Sequence, residues 1–287
     1  PRFPIGLDMR RIIPSLAKKT LRQELPETNS VKQHKMKVAF FTGCTINYIY
    51  TGIGKAVVNV LNRNSVEVII PRRQYCCGTP IYTSGDVNTA REMARANIDI
   101  FYNLDVDAII TSCATCGEAL KIAYPKLLVD DCIGYGEKAL RLSEKVYDIA
   151  QFIVDETDFM NVSMGQVKRK VTYHDPCHLS RFLKVRQKPR EIITSIPGIE
   201  LAEMSHPDRC CGGAGSFSLT HYDTALAVNR YKVKDIIDTG TDTVLTGCPA
   251  CRMQLEDGLN RYRLPHQVLH TIELLNLSYQ SAYEDIL

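Results

Sequence analysis

Ten cysteines in this 287-residue sequence fall into two sets of five that share one spacing. The first set is Cys44, the adjacent pair Cys76-Cys77, and Cys113-x-x-Cys116; the second is Cys177, Cys210-Cys211 and Cys248-x-x-Cys251. Corresponding residues are offset by 133, 134 and 135 positions (Cys44 to Cys177, Cys76 to Cys210, Cys113 to Cys248), which makes the chain an internal duplication. Thiolate is a soft ligand, suited to iron–sulfur clusters, zinc and Cu(I). A structural zinc takes four ligands, and each set offers five. Neighbouring side chains on extended backbone diverge, so a Cys-Cys pair fits one zinc awkwardly, whereas a multi-iron cluster accepts both thiolates on different irons. Glycine follows each pair (Gly78, and Gly212-Gly213), permitting positive φ and a close backbone approach to a bulky cluster. Amides in such turns can donate to sulfides and tune the potential. The expectation is one iron–sulfur cluster per set; zinc in one repeat, or in both with an idle thiol each, stays open.

Short apolar runs precede the cysteines and must position them. Lys37 to Gly43, Val66 to Pro71 and Ala108 to Ser112 lead to the first set; Lys170 to Pro176, Gly198 to Met204 and Thr243 to Gly247 lead to the second. Runs this short, β-branched and closed by Gly or Pro, read as buried strands. Segments with helical spacing lie between them, at about 46–63, 87–103, 137–154, 179–195, 222–238 and 252–262. Strands alternating with helices imply right-handed crossovers and a parallel sheet, whose strand-end loops share one edge. The predicted architecture is therefore α/β: two duplicated lobes related by pseudo-symmetry, each a small, mainly parallel sheet flanked by helices. Its five cysteines sit at the C-terminal edge of the strands. Boundaries are expected at 1–35 for a basic arm, 36–160 for the first lobe and 165–287 for the second.

Composition narrows the function classes. Hydrophobic residues make up 45% and charged residues 23%, which supports a packed core. No uncharged apolar run approaches the roughly 18 residues of a spanning helix. Pro1-Arg2-Phe3-Pro4 has neither an initiating Met nor the apolar stretch of a secretory signal, which suggests a fragment or a processed chain. Eleven cysteines without an export signal read as metal ligation or redox chemistry in a reducing cytoplasm, not as disulfides. Net charge is +3, yet residues 1–37 carry nine Lys/Arg against Asp8, Glu24 and Glu27, leaving −3 for the rest. Such an arm can dock on a partner or on an anionic lipid surface, or simply be a solvated face. No basic stripe with interleaved aromatics marks a nucleic-acid site.

The pattern Cys-x31-Cys-Cys-Gly-x34-Cys-x-x-Cys, repeated with each long gap one residue longer, resembles the cysteine-rich "CCG" domain proteins over about residues 36–275. These include the B subunit of heterodisulfide reductase and the iron–sulfur subunits of glycolate, lactate and anaerobic glycerol-3-phosphate dehydrogenases. Further matches are Cys76-Cys-Gly-Thr-Pro with Ser84-Gly-Asp86, His174-Asp-Pro-Cys-His-Leu179, Cys210-Cys-Gly-Gly-Ala-Gly215 and Gly247-Cys-Pro-Ala-Cys-Arg-Met-Gln254. The last two, with His270-Thr-Ile-Glu-Leu-Leu275, look most like the glycolate oxidase branch. The resemblance implies a [4Fe–4S] cluster on each five-cysteine set, non-cubane in heterodisulfide reductase, with zinc in one site of some relatives. It also implies an iron–sulfur subunit carrying electrons from a flavoprotein dehydrogenase of a small hydroxy acid toward a quinone or another carrier, peripheral on the inner face of the membrane. Relatives usually begin with a two-cluster ferredoxin domain. No Cys-x-x-Cys-x-x-Cys-x-x-x-Cys-Pro run is present, and Arg2 to Pro26 resembles the linker after such a domain, so a ferredoxin-like part or partner is expected to supply it.

Two other functions fit the same residues. A heterodisulfide reductase-like subunit would reduce a disulfide at its clusters and needs an open pocket between the sites. A zinc-stapled scaffold would be colourless and would unfold on metal removal. Cys132 is expected to be a plain structural thiol. His174, His178, His206 and His221 are candidates for hydrogen bonding to cluster or thiolate, or for ordinary helix-start and core roles. Asp175 before Pro176 is expected to make a turn. No dinucleotide fingerprint or paired catalytic carboxylates are legible.

Overall fold

The computed structural model describes residues 10–131 and 133–284, and their side chains through Ala282; Cys132 lies outside the described residues. The first half contains strands β1 (Thr28–Asn29), β2 (Met36–Phe41), β3 (Val66–Ile69), β4 (Ala108–Thr111) and β5 (Val146–Asp148). They lie in the order β1-β3-β2-β4-β5. The second half contains β6 (Arg169–His174), β7 (Ile199–Leu201), β8 (Thr243–Thr246) and β9 (Gln267–His270), in the order β7-β6-β8-β9. Every pairing is parallel except that of β1 on β3. Without β1 the two orders are one topology used twice, and the α/β reading with duplicated lobes holds.

Helices connect and flank the strands. In the first half they are α1 (Leu21–Glu24), α2 (Gly43–Tyr48), α3 (Thr51–Arg63), α4 (Thr79–Thr83), α5 (Val87–Phe101), α6 (Ala114–Glu118), α7 (Tyr124–Leu127), α8 (Tyr135–Glu144) and α9 (Ile149–Glu156). The second half adds α10 (Lys188–Ser195), α11 (Phe217–Thr220), α12 (Tyr222–Ile237), α13 (Pro249–Arg261) and α14 (Thr271–Glu284). Helices cover both faces of each sheet, so the central strands are buried toward their C-terminal ends: Val38, Ala39, Phe40 and Phe41 on β2 are fully inaccessible, as are Val244 and Leu245 on β8. The halves exchange their last helices. α9 packs on α10 of the second half, and α14 packs on α3 of the first.

Several sequence expectations need correction. The helix expected over 137–154 is α8, then β5, then α9. A three-residue strand is too short to interrupt a helical period, and its pairing with β4 decides its conformation. The helix expected over 46–63 divides at Tyr50 into α2 and α3. The one expected over 179–195 is a π-helical turn, His178–Phe182, and then α10, separated by Lys184 at φ 61°. Pro189 stands in the first turn of α10, where a missing N–H costs nothing. Strand β9 and helix α14 lie beyond the elements that the sequence predicts, although Ile272, Leu275 and Tyr279 recur at helical spacing.

Residues 1–9 of the expected basic arm lie outside the described residues; from Arg10 on, the segment lies on the body of the protein. Ile12 N–H donates to Asp257 in the second half, and Ala17 N–H donates to Tyr48 O in the first. Arg10 pairs with Asp223, and Arg22 donates to the carbonyls of Arg72 and Gln74. Leu21 is fully buried, and a Cβ on Gly54 of α3 would stand 2.1 Å from its Cδ2, so the glycine makes room for α1. Among the described residues no helix is long and apolar enough to cross a membrane.

Leu21→Ala is expected to lower the unfolding free energy by about 2–5 kcal/mol, the cost of a buried leucine truncation. Urea denaturation checks this; an unchanged midpoint would mean that α1 is an appendage.

Candidate metal centre

Strand ends place every cysteine of both sets at one edge of its sheet. Cys44 opens α2 directly after β2, through Gly43 at φ 61°, where a Cβ would stand 2.9 Å from Cys116 Sγ. Cys177 follows β6 and precedes the π-helical turn. The pairs Cys76-Cys77 and Cys210-Cys211 lie in the loops after β3 and β7. Gly78 and Gly212, which follow them, are both left-handed at φ 84°, as expected. A Cβ on Gly212 would also stand 2.4 Å from the Ala225 carbonyl. Cys113 and Cys248 are the extended N-cap residues of α6 and α13, so Cys116 and Cys251 fall in the first turn. The neighbouring thiols, Cys113 beside Cys116 and Cys211 beside Cys251, together with burial push both well above the usual thiol range.

None of the ten is in a disulfide, and their thiols touch in sequence. In the first half electrostatic interactions between thiols link Cys44 to Cys76, Cys76 to Cys77, Cys77 to Cys116, and Cys116 to Cys113. In the second they link Cys210 to Cys211, Cys211 to Cys251, and Cys251 to Cys248. The two lines meet where Cys113 contacts Cys248. Cys177 stands beside this line, with its Sγ 3.7 Å from His178 Nδ1. Three equivalent cysteines are buried in each half (Cys77, Cys113, Cys116 and Cys211, Cys248, Cys251); the outer two differ, with Cys44 exposed against a half-buried Cys177 and Cys76 half-buried against an exposed Cys210. Hydrogen bonds from Cys116 and Cys76 hold Cys77 well below the usual thiol range, and those from Cys210 and Cys251 do the same for Cys211. The hydrogen bond to Cys76, then burial, pushes Cys44 up.

Side chains that the sequence did not single out fix the cysteine loops. Asn97 Nδ2 donates to Cys76 O and to Tyr124 Oη, and Tyr124 Oη donates to Cys77 O. Asn229 Nδ2 donates to Cys211 O, in space left by Gly258, where a Cβ would overlap the Asn229 amide. The buried Lys232 ammonium donates to the carbonyls of His206 and Pro207, just before the second pair. A polar residue in an otherwise apolar buried stripe (Ala90, Ala94, Asn97, Ile98, Phe101 on α5) was the signal available. Thr115 Oγ1 bridges the halves, 3.4 Å from His178 Nδ1 and 3.9 Å from Cys248 Sγ.

The histidines separate. His174 and His178 lie at the thiols; His206 pairs with Asp235, and His221 stacks on Phe217. Asp175 does more than turn the chain: it is buried and forms a two-bond ion pair with Arg190, which lies over the Tyr173 ring.

Buried polar atoms without a hydrogen-bond partner gather at the same edge. They include Ser112 Oγ, Asp148 Oδ2, Thr246 Oγ1, His270 Nε2 and both ring nitrogens of His174. Buried polar groups are normally satisfied, so this concentration fits a bound group rich in acceptors, such as a sulfide-bearing cluster. In the second half the ligand atoms of His174, Cys211 and Cys251 lie within 4.8 Å of one another, a donor set that suits zinc as well. A cavity of about 490 Å³ opens beside the first pair; Cys77, Tyr82, Arg91, Glu118 and Tyr124 line it from the first half and His178 from the second.

A family model described as a cysteine-rich domain, CCG, matches residues 38–121 and again residues 171–256. An uncharacterized iron-sulfur protein of Methanococcus maripaludis is 35% identical over 94% of this chain and 51% of its own length. Lactate utilization protein A of a Geobacillus species is 33% identical over 84% of this chain and 99% of its own. A dihydromethanophenazine:CoB–CoM heterodisulfide reductase subunit of Methanosarcina barkeri is 31% identical over 85% of this chain and 59% of its own. The chain spans about half the length of the first curated relatives it matches. A hypothetical protein from Helicobacter pylori shares the fold at TM-score 0.58 and 11% identity, over 96% of this chain and 54% of that one.

Burial raises the Asp148 carboxyl to about 7, although its Oδ1 caps α9 through Ala150 N–H. An unfolded aspartate titrates near 4. The unfolded chain therefore releases this proton first, and stability should fall as pH rises from about 4 through about 7. Asp148→Asn, which keeps the cap, should flatten that fall in the metal-free protein. A pH series of urea midpoints checks it; an unchanged slope would assign the pH dependence elsewhere.

Proposed function

The chain belongs to the cysteine-rich CCG domain family, and from that premise we propose that it is an iron–sulfur electron-transfer subunit of an oxidoreductase complex. The observation that carries this reading is the line of contacting thiols from Cys44 to Cys210, which crosses from one half to the other at Cys113 and Cys248. Cys44, Cys76, Cys77, Cys113 and Cys116 would hold one [4Fe–4S] cluster, cubane or non-cubane. Cys177, Cys210, Cys211, Cys248 and Cys251 would hold the other, or a zinc in its place. Such clusters supply one-electron storage.

This chain's residues do the rest. Buried thiols on the inner side keep water from the path, and the exposed Cys44 and Cys210 mark the outer ends where a partner can approach. Asn97, Tyr124 and Asn229 hold the pair loops by their carbonyls, which fixes the thiols before any metal arrives. The likeness to lactate utilization protein A supports a flavoprotein dehydrogenase of a glycolate- or lactate-type hydroxy acid as donor, and a quinone-linked carrier as acceptor. A ferredoxin-like domain or subunit completes the path. Free thiols at all ten described cysteines support a cytoplasmic setting, peripheral on the inner face of the membrane.

The cavity beside Cys77 favours a second reading, reduction of a disulfide at the clusters. The disulfide would take two electrons and two protons and leave as two thiols. Oxidation of a reduced viologen dye by a panel of small disulfides, lost in Cys77→Ala, would support it; no dye oxidation would dismiss it.

Protein purified without oxygen is expected to carry about eight irons with matching sulfide and an EPR signal on reduction. About four irons and one zinc would leave a single redox centre. Zinc alone, in a colourless sample, would overturn the electron-transfer reading in favour of a stapled scaffold. Cys77→Ala should halve the iron by losing the first centre; unchanged iron would refute the ligand assignment.

A further inference from the structure

The two halves share a topology but differ in the residue that ends their central strand. Strand pairing ranks Phe41, Thr111 and Asp148 across the cysteine-bearing edge of the first sheet. It ranks His174, Thr246 and His270 across the second. Phe41 closes β2 with an apolar ring, 5.4 Å from that of Phe101. At the equivalent place His174 closes β6. It is 1% exposed, and neither ring nitrogen has a hydrogen-bond partner. An unpartnered imidazole at such depth forfeits its hydration without recompense, so the fold carries it for something the protein alone does not satisfy.

A ring nitrogen of His174 and the sulfurs of Cys211 and Cys251 lie within 4.8 Å of one another. A second polar side chain converges there. Gln254, one turn beyond Cys251 on α13, is fully buried with both amide atoms unpartnered. It lies 3.6 Å from where a Cβ on Gly213 would stand, against the loop of the second pair. The duplicated spacing puts Ala119 at its place in the first half. The second site thus has two buried hydrogen-bonding side chains where the first has a phenyl ring and a methyl group.

We propose that His174 is a positioning residue of the second metal centre. It donates a ring N–H to the Cys211 sulfur and gives that centre the higher reduction potential, so that electrons passing along the chain come to rest in the second half. The physical reason is charge: reduction adds an electron to a thiolate-ligated group, and an N–H dipole aimed at a coordinating sulfur stabilises the more negative state. Phe41 offers no such dipole to the first centre. The proposal rests on the iron–sulfur reading above and adds a direction to it.

The test is an EPR-monitored redox titration, with iron analysis, of the anaerobically purified protein and of its His174→Phe and His174→Asn variants. The parent should show two midpoints. Cys77→Ala, which keeps the second centre, identifies the higher one as that centre's. In His174→Phe the higher midpoint should fall toward the lower one with iron unchanged, and the amide donor of His174→Asn should recover part of the shift. A higher midpoint that stays in place in His174→Phe with full iron overturns the proposal. So does loss of second-centre iron from both variants, which would make His174 a residue of site assembly. A parent protein that holds zinc alone overturns the iron–sulfur reading itself, and the proposal with it.

Discussion

Parallel strand pairing is the constraint on which the rest of this structure depends. A parallel neighbour can be reached only by a crossover that returns the chain to the start of the next strand, so every strand ends at the same edge. In each half four strands in one order bring thiols more than 70 residues apart in sequence to that edge. The order reverses beside the first strand, between β2 and β4 and between β6 and β8, which opens the crevice where such sheets bind ligands. Cys44 and Cys113 flank one crevice; Cys177 and Cys248 flank the other. The pair loops after β3 and β7 then need only a left-handed glycine to turn their sulfurs inward.

Duplication does more than double the site. Each sheet edge alone would leave its innermost thiols facing solvent, because the strands stop there. Exchange of the last helices, α9 onto α10 and α14 onto α3, draws the two edges together until Cys113 and Cys248 touch. The contact buries both cysteines behind the other half. Arg252 secures a second part of the same interface: it stacks on Tyr50 of the first half at 4.4 Å and pairs with Glu256 and Glu273. Ion pairs that are only partly exposed hold geometry better than they add stability, and here they hold the two cysteine-bearing edges in register.

The polar residues around the thiols were bought with stability. Asp148 and His270 end corresponding strands, and burial raises the one to about 7 and lowers the other to about 4, so both favour their neutral forms. Asn97, Asn229 and Lys232 each place a donor in a stripe that would otherwise be apolar. A sequence optimised for folding alone would fill these places with leucine or alanine. Their common orientation toward the cysteine loops gives the edge a supply of hydrogen bonds that a purely apolar wall would lack.

Sequence by itself determined the duplication, the α/β class and the family, because cysteine spacing and strand periodicity are local patterns that survive as counts along the chain. It placed the helices α5, α12 and α13 to within a few residues, since long amphipathic segments carry their own period. It merged α8, β5 and α9 into one helix, because three residues of strand are decided by pairing with β4 and not by their own propensity. Nor did it distinguish His174 and His178, which lie at the thiols, from His206 and His221, which are committed elsewhere. All four stand near cysteines in sequence, and only the fold assigns neighbours across a sheet edge. The contact between Cys113 and Cys248 was equally out of reach. It joins residues from different halves, and the packing of α9 on α10 and of α14 on α3, a matter of surfaces and not of spacing, decides it.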